Sequence, residues 1–229
     1  VWAEVEAAEP DAVYHLGDLV GYAPWPDEVV AFLHARGVAG VAGNYDSTVA
    51  LDAPHCGCRY EDPEQERLSH ISFEWTKANV GLVTRRRLAA LPFRIDLRPL
   101  GGHGRGPRVV LVHGTPTLNT LYWTADRPDD FFRKMAEHAR LRPGDAIAFG
   151  HTHVPFVRTL DGVLYVNAGS VGKPKDGDPR ASWAWLEVGP DGTLRAEIRR
   201  TAYDVRRART KIEAAGLPAR FGELLETGG

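Results

Sequence analysis

The sequence predicts an α/β protein built as two β-sheets packed face to face with helices outside. Its opening alternates helix, strand, helix, strand, the order that makes a parallel sheet with crossover helices. Its later half is rich in short apolar strands. Two Asp-Gly pairs, Asp161-Gly162 and Asp191-Gly192, stand between such strands as hairpin turns. Sheet-on-sheet packing is the way two half-apolar sheets bury their faces.

Taken in order, Val1 to Glu9 reads as the later turns of an amphipathic helix, with Val1, Val5 and Ala8 on one face. No capping residue precedes it. Ala12 to Leu16 is a short apolar strand that ends in Gly17-Asp18. Pro26 to Arg36 is helical, with Pro26 at a tolerated early position and Gly37 past the last turn. Val38 to Ala42 is a second strand, ending in Gly43-Asn44, and residues 50–63 read as a loop. Glu64 to Val80 and Thr84 to Ala90 are expected helices. Arg94 to Arg98 and Arg108 to Val112 are strands around a glycine-rich turn, Gly101 to Pro107. Pro128 to Arg140 is a helix and Ala146 to Phe149 a strand ending in Gly150. Phe156 to Leu160 pairs with Val163 to Val166, and Ser182 to Val188 with Leu194 to Arg200. The tail, Asp204 to Leu225, is helical with a break at Leu217-Pro218. No internal repeat or low-complexity linker interrupts the chain, so 1–229 is read as one domain.

Composition sets the outer limits. The chain has 229 residues, 43% hydrophobic and 25% charged, which is enough to bury a full core and argues against disorder. Basic and acidic residues number 28 and 30, a net charge of −2, so nothing asks for a polyanionic partner. Arg85-Arg86-Arg87 reads as a solvated helix face, and nucleic acid is not an expected partner. No stretch approaches the ~18 apolar residues of a membrane span, and no signal peptide is visible. Cys56 and Cys58 lie one residue apart in His55-Cys56-Gly57-Cys58, too close for an unstrained disulfide. Reduced thiols in a cytoplasmic protein are the expectation. One loop with two thiols also falls short of a four-ligand zinc set.

Four motifs share one pattern, an apolar strand followed by a sharp turn with polar residues. They are Gly17-Asp18, Gly43-Asn44-Tyr45-Asp46, His113-Gly114 and Gly150-His151-Thr152-His153. In α/β sheets, ligands gather at the carboxyl ends of strands, so these turns are expected to converge. Together they offer one carboxylate, one amide and three imidazoles, a donor set suited to Mn²⁺, Fe²⁺, Zn²⁺ or Ni²⁺. His15 and His34, alone on their elements, are assigned no role.

GDLVGY (17–22), GNYD (43–46), VLVHGTP (110–116) and GHTHVP (150–155) resemble the calcineurin-like metallophosphoesterases, in particular their compact bacterial YfcE-like branch. The likeness extends to NAGSVG (167–172) and KPKDGDPRASW (173–183). The resemblance implies a four-layer α/β/β/α sandwich of two mixed sheets. It also implies two divalent ions, and hydrolysis of phosphate esters, diesters above all, by a hydroxide activated between them. Residue by residue, Asp18 matches the carboxylate that bridges both ions. Asn44, His113 and His151 match the other ligands of one ion, and His153 a ligand of the second. Asn44, Tyr45 and Asp46 fall on the motif that works on the substrate. Tyr45 stands where many relatives carry a histidine, and with an ordinary pKa of about 10 a tyrosine is a poor proton shuttle at neutral pH. Asp46 is expected to orient its neighbours. The family's first motif, Asp-x-His at the end of a first strand, does not occur before Asp18. The expectation is that about fifteen to twenty residues, a ~5-residue strand with its turn and the start of the first helix, belong upstream of Val1.

Substrate contacts are left open between two readings each. Tyr122 and Trp123 either line a substrate lip or pack inside. Lys173, Lys175 and Arg180 either meet a phosphate's charge or are compensated by Asp176 and Asp178 in the same loop. The expected partner is a small phosphate ester, with a second copy of the chain left open. The alternative to an enzyme is a protein-binding module, because the same family includes a retromer subunit that uses the scaffold for protein contacts.

Overall fold

The computed structural model of the chain describes residues 1–58, 60, 62–98 and 106–229. Of the expected glycine-rich turn, residues 101–105 lie outside the described residues. The middle of the fold is a five-stranded mixed sheet of β3 (Arg94–Leu97), β4 (Val109–Val112), β5 (Ala146–Phe149), β6 (Phe156–Leu160) and β7 (Val163–Asn167), in the order β3-β4-β5-β7-β6. β4, β5 and β7 run parallel to one another, and the outer strands β3 and β6 run antiparallel to their neighbours. The three central strands are buried throughout, as parallel strands covered on both faces must be.

One face of this sheet presents Val110, Val112, Ile147, Phe149, Val163 and Tyr165 to helix α6 (Asp129–Ala139), which answers with Phe132, Met135, Ala136 and Ala139. The other face presents Val109, Leu111, Ala146, Ala148, Leu164 and Val166 to a second β layer. That layer has two parts among the described residues. One is the parallel pair β1 (Tyr14–His15) and β2 (Ala39–Gly40). The other is the antiparallel ribbon β8 (Ala181–Val188) and β9 (Leu194–Thr201). Leu16, Val41, Ala184, Leu186, Ala196 and Ile198 bring both parts into the shared core.

Outside the second layer lie α1 (Trp2–Ala7), α2 (Pro26–Ala35), α3 (Asn44–Ala50), α4 (Pro63–Asn79) and α5 (Leu82–Ala89). Val30, Tyr45, Val49, Phe73 and Leu88 join α2 to α5 in one apolar cluster. Trp2 meets the Phe32 ring edge-on at 5.5 Å and ties α1 to α2. The terminal helices α7 (Val205–Ala214) and α8 (Ala219–Thr227) pack Ile212, Leu217, Phe221 and Leu225 on Leu68 of α4. The result is the four-layer α/β/β/α arrangement. No helix among the described residues is long and apolar enough to cross a membrane.

Three local differences from the sequence reading have physical causes. Residues 44–50 form α3, where a turn leading into a loop was expected. Asn, Tyr, Asp, Ser and Thr are all poor helix formers, but burial of Tyr45, Asp46 and Val49 overrides them. The Asp46 carboxylate also accepts the Gly43 N–H at 2.9 Å and closes the first turn. β1 and β2 are two residues long rather than five. At their ends the backbone bonds elsewhere: the Leu16 carbonyl to the His113 ring, and the Ala42 N–H to the Pro92 carbonyl. The β8–β9 ribbon turns through residues 189–193, closed by the Gly189 N–H on the Thr193 carbonyl. By contrast β6 and β7 join through Asp161 (φ 50°) and Gly162 (φ 76°), the two positive-φ residues of a two-residue hairpin turn.

Candidate metal centre

Four strand ends meet at one place. Asp18 follows β1, Asn44 follows β2 as the first residue of α3, His113 follows β4, and His151 and His153 follow β5. The backbone is forced there. Asp18, His151 and His153 have φ of 54°, 61° and 63°, a left-handed conformation uncommon outside glycine and concentrated at functional sites. Neighbouring groups hold it in place. The Gly150 N–H donates to the His113 carbonyl at 2.8 Å, locking the two turns together. Asn167, wholly buried at the end of β7, donates from Nδ2 to the Gly150 carbonyl and to Thr152 Oγ1, both at 2.9 Å. Asp46 accepts the N–H groups of Leu19 at 2.8 Å and Gly43 at 2.9 Å, which fixes the 17–19 turn against the start of α3.

The centre of the cluster is the Nε2 atom of buried His113. It lies 3.2 Å from Asn44 Oδ1, 3.2 Å from His151 Nδ1 and 3.3 Å from Asp18 Oδ2. Hydrogen bonds on the far sides decide what these atoms offer. His113 Nδ1 donates to the Leu16 carbonyl at 2.6 Å, so Nε2 of the neutral ring keeps its lone pair. Asn44 Nδ2 donates to the Cys56 carbonyl at 3.0 Å and lies 3.2 Å from Cys58 Sγ, so Oδ1 faces inward. With the His151 proton on Nε2, which is buried without a partner, four acceptor atoms would face one another. Bonds of about 2.0–2.2 Å to a tetrahedral ion would set its ligand atoms about 3.3–3.6 Å apart, close to the spacing found here. Asp18, His113 and His151 form a group able to hold a metal ion, their ligand atoms all within 4.8 Å of one another.

Electrostatics follows the same geometry. Burial works against a charged His113, but the negative Asp18 carboxylate beside Nε2 and the Leu16 carbonyl at Nδ1 outweigh it and raise the ring above its ordinary value. Burial likewise works to raise Asp18, and the three histidines overcome it and keep the carboxyl ionised well below its usual range. His151 is lowered to about 4, by burial and then by His113. His153 is lowered to about 3, by burial and then by Lys175 and Lys173. Asp46 is pushed up to about 7, by burial and then by the charge of Asp18.

His153 lines the same cleft but does not join the group of Asp18, His113 and His151, and its Nδ1 donates to the Lys173 carbonyl at 2.6 Å. Tyr22, Cys58, Tyr60, Tyr122, Lys173 and Lys175 complete the walls. Tyr122 sets its ring against His151 at 4.7 Å. Tyr45 borders the cleft, but its hydroxyl donates to the Ser69 carbonyl at 3.2 Å, and burial raises it well above its ordinary value.

Two sequence candidates stand elsewhere. Trp123 is 1% exposed and stacks on Phe149 at 4.2 Å inside the sheet–α6 core, so it forms no substrate lip. Arg180 is exposed and holds Asp178 at 2.6 Å, compensated within its loop and outside the cleft. Asn167, Tyr22, Tyr60 and Cys58 reach the site without having been assigned to it. Cys58 and Tyr60 come from the segment read as a loop, where only a His-Cys-Gly-Cys run gave any signal.

Comparison with known proteins bears on the fold and the family. An uncharacterized protein of Methanocaldococcus jannaschii, MJ0912, is 29% identical over 237 residues, covering 94% of this chain and 86% of its own. A metallophosphoesterase from Sphaerobacter thermophilus is 26% identical with a TM-score of 0.71, over 99% of this chain and 92% of that one. The hypothetical protein PH1004 from Pyrococcus horikoshii shares the fold with a TM-score of 0.80 at 21% identity, over 100% of this chain and 90% of that one. The family profile of the calcineurin-like phosphoesterase superfamily domain matches residues 1–191. The chain belongs to the calcineurin-like phosphoesterase superfamily.

Proposed function

We propose that the protein hydrolyses phosphate esters, diesters in preference to monoesters, at a centre of two divalent ions. In this reading Asp18, Asn44, His113 and His151 would hold one ion, and Asp18 and His153 would contribute to the second. The observation that carries it is the convergence of Asn44 Oδ1, His151 Nδ1 and Asp18 Oδ2 within 3.2–3.3 Å of His113 Nε2, with the Nδ1 proton of His113 and the amide protons of Asn44 directed outward. Mn²⁺, Fe²⁺, Zn²⁺ and Ni²⁺ all suit this mixture of nitrogen and oxygen donors. Ions held there would supply Lewis acidity for the phosphoryl oxygens and lower the pKa of water to near neutrality.

The chain's own residues do the rest. Asp46 holds the Asp18 and Asn44 turns in register through its two backbone N–H bonds. Tyr122 and Lys173 line the cleft walls, where they would face the substrate. Tyr45 keeps its proton in the Ser69 bond, so it is no acid for a departing alkoxide. That favours diesters with a leaving group able to depart unprotonated.

The test is hydrolysis of bis(4-nitrophenyl) phosphate with Mn²⁺ added. Chelator is expected to abolish turnover, and Asp18→Ala to lower it at least about a hundredfold, since one carboxylate serves both ions. Equal turnover in wild type and Asp18→Ala, or turnover indifferent to chelator, would overturn the assignment.

A further inference from the structure

Residues 170–180 form a loop that carries two cations into the cleft and turns its acids away from them. Lys173 and Lys175 both line the cleft with Asp18, His151 and His153. The loop's carboxylates are engaged by arginines instead: Asp176 by Arg200, and Asp178 by Arg180 at 2.6 Å. Among the described residues, neither lysine forms an ion pair. The Lys173 nitrogen instead sits 3.1 Å from the centroid of the Tyr22 ring, whose face is a weak substitute for an anion.

The backbone that carries the two lysines is held in place. His153 Nδ1 donates to the Lys173 carbonyl at 2.6 Å, and the Lys175 N–H donates to the His153 carbonyl at 3.3 Å, with Pro174 buried between the two lysines. The Lys173 N–H donates to Ser170 Oγ at 3.0 Å, and the Gly177 N–H to the Gly228 carbonyl at 2.9 Å. The loop is thus pinned on both sides of His153, a residue of the candidate centre. The two lysines thus line one cleft together, and the acids of their own loop are already paired with arginines. An anion beside them would supply the missing partner.

The charge balance indicates which anion. A diester phosphate carries one negative charge, and a centre of divalent ions already exceeds it. Two further cations beside that centre are superfluous for the attacked phosphate and suited to a second one. We propose that Lys173 and Lys175 form a subsite for a second phosphate on the substrate, so that the preferred substrates are phosphodiesters bearing a further phosphate group. This rests on the phosphoesterase reading of the neighbouring centre.

The experiment separates the two. Binding of thymidine 3′,5′-bisphosphate and of thymidine 5′-phosphate to the Mn²⁺-loaded protein is measured by calorimetry. In parallel, kcat/KM is measured for 4-nitrophenyl thymidine 5′-phosphate with and without a 3′-phosphate. Wild type is expected to favour the doubly phosphorylated ligand and substrate by about tenfold to a hundredfold, the range of one charge-assisted hydrogen bond. The ratio should fall toward one in Lys175→Gln and in Lys173→Gln, and persist in Arg180→Gln, which alters a cation of the same loop outside the cleft. Lys175 is exposed, so its variant is expected to fold even if the Lys173 variant does not. A ratio near one in wild type, or one unchanged by both lysine substitutions, would overturn the subsite. Should the binding ratio behave as expected while neither diester is hydrolysed, the subsite stands and the phosphoesterase reading falls. Hydrolysis of both diesters without preference is the reverse case.

Discussion

Gly43 shows how closely the site residues are packed. A Cβ on it would overlap both the Oδ1 and the backbone nitrogen of Asp18, and a Cβ on Gly17 would overlap the Gly43 backbone. The two glycines stand back to back, and their missing side chains let the Asp18 turn close on the start of α3. Gly17 also has a φ of 87°. Gly43→Ala cannot be relieved by rotating the Asp18 side chain, because one of the overlapped atoms is backbone. The expected outcome is a loss of Mn²⁺ affinity of at least about tenfold, together with about 1–3 kcal/mol of stability, the usual cost of overpacking. Titration calorimetry and urea unfolding check it, and wild-type affinity in Gly43→Ala would show that the turns have room to part. The sequence displays these glycines plainly, each just before a polar residue at a strand end, and for that reason Asp18 and Asn44 were legible in it as candidate ligands. Cys58, Tyr60 and Asn167 were not. Their contribution depends on where a long loop folds back and on which strand neighbours β5, neither of which is encoded in local spacing.

At the scale of elements, the contrast between adjacent Tyr122 and Trp123 is informative. One ring faces His151, and the other is sealed among Phe132, Phe149 and Tyr165. Local sequence offers no way to tell them apart, since the segment after β4 is irregular and has no period to follow. Trp123→Ala should therefore behave as a core truncation. The expectation is a loss of about 3–5 kcal/mol of stability, read by denaturant titration. The ratio of kcat/KM for the two thymidine diesters should not change. A change in that ratio without loss of stability would return Trp123 to the substrate lip. Elements with a strong local signature were read well: the β6–β7 hairpin from its Asp-Gly pair, and α6 from its amphipathic run. α3 differs from the sequence reading because its residues are weak helix formers, and burial against α4 and α5 together with the Asp46 cap makes it helical.

At the scale of the whole molecule, the layer order followed from the motifs more than from periodicity, because β1 and β2 are too short to announce which sheet they join. The centre spans both β layers. Asp18 and Asn44 come from the second layer, and His113, His151 and His153 from the five-stranded sheet. His113 reaches 97 residues back to the Leu16 carbonyl and 69 back to Asn44. Contacts of such length close late, because the loop entropy is lost before they contribute. An ion bound there would recognise the native state and not the denatured chain, stabilising the protein by mass action. It would also act on one limb of the kinetics. If the layers dock after the folding barrier, saturating Mn²⁺ should slow unfolding by about the factor it adds to the equilibrium constant and leave refolding nearly unchanged. Stopped-flow chevrons with and without the ion measure this. Equal acceleration of refolding would mean that the layers have already docked at the barrier. A centre divided between two sheets in this way would then work as a kinetic clasp, and the protein would be slowest to come apart when an ion is bound.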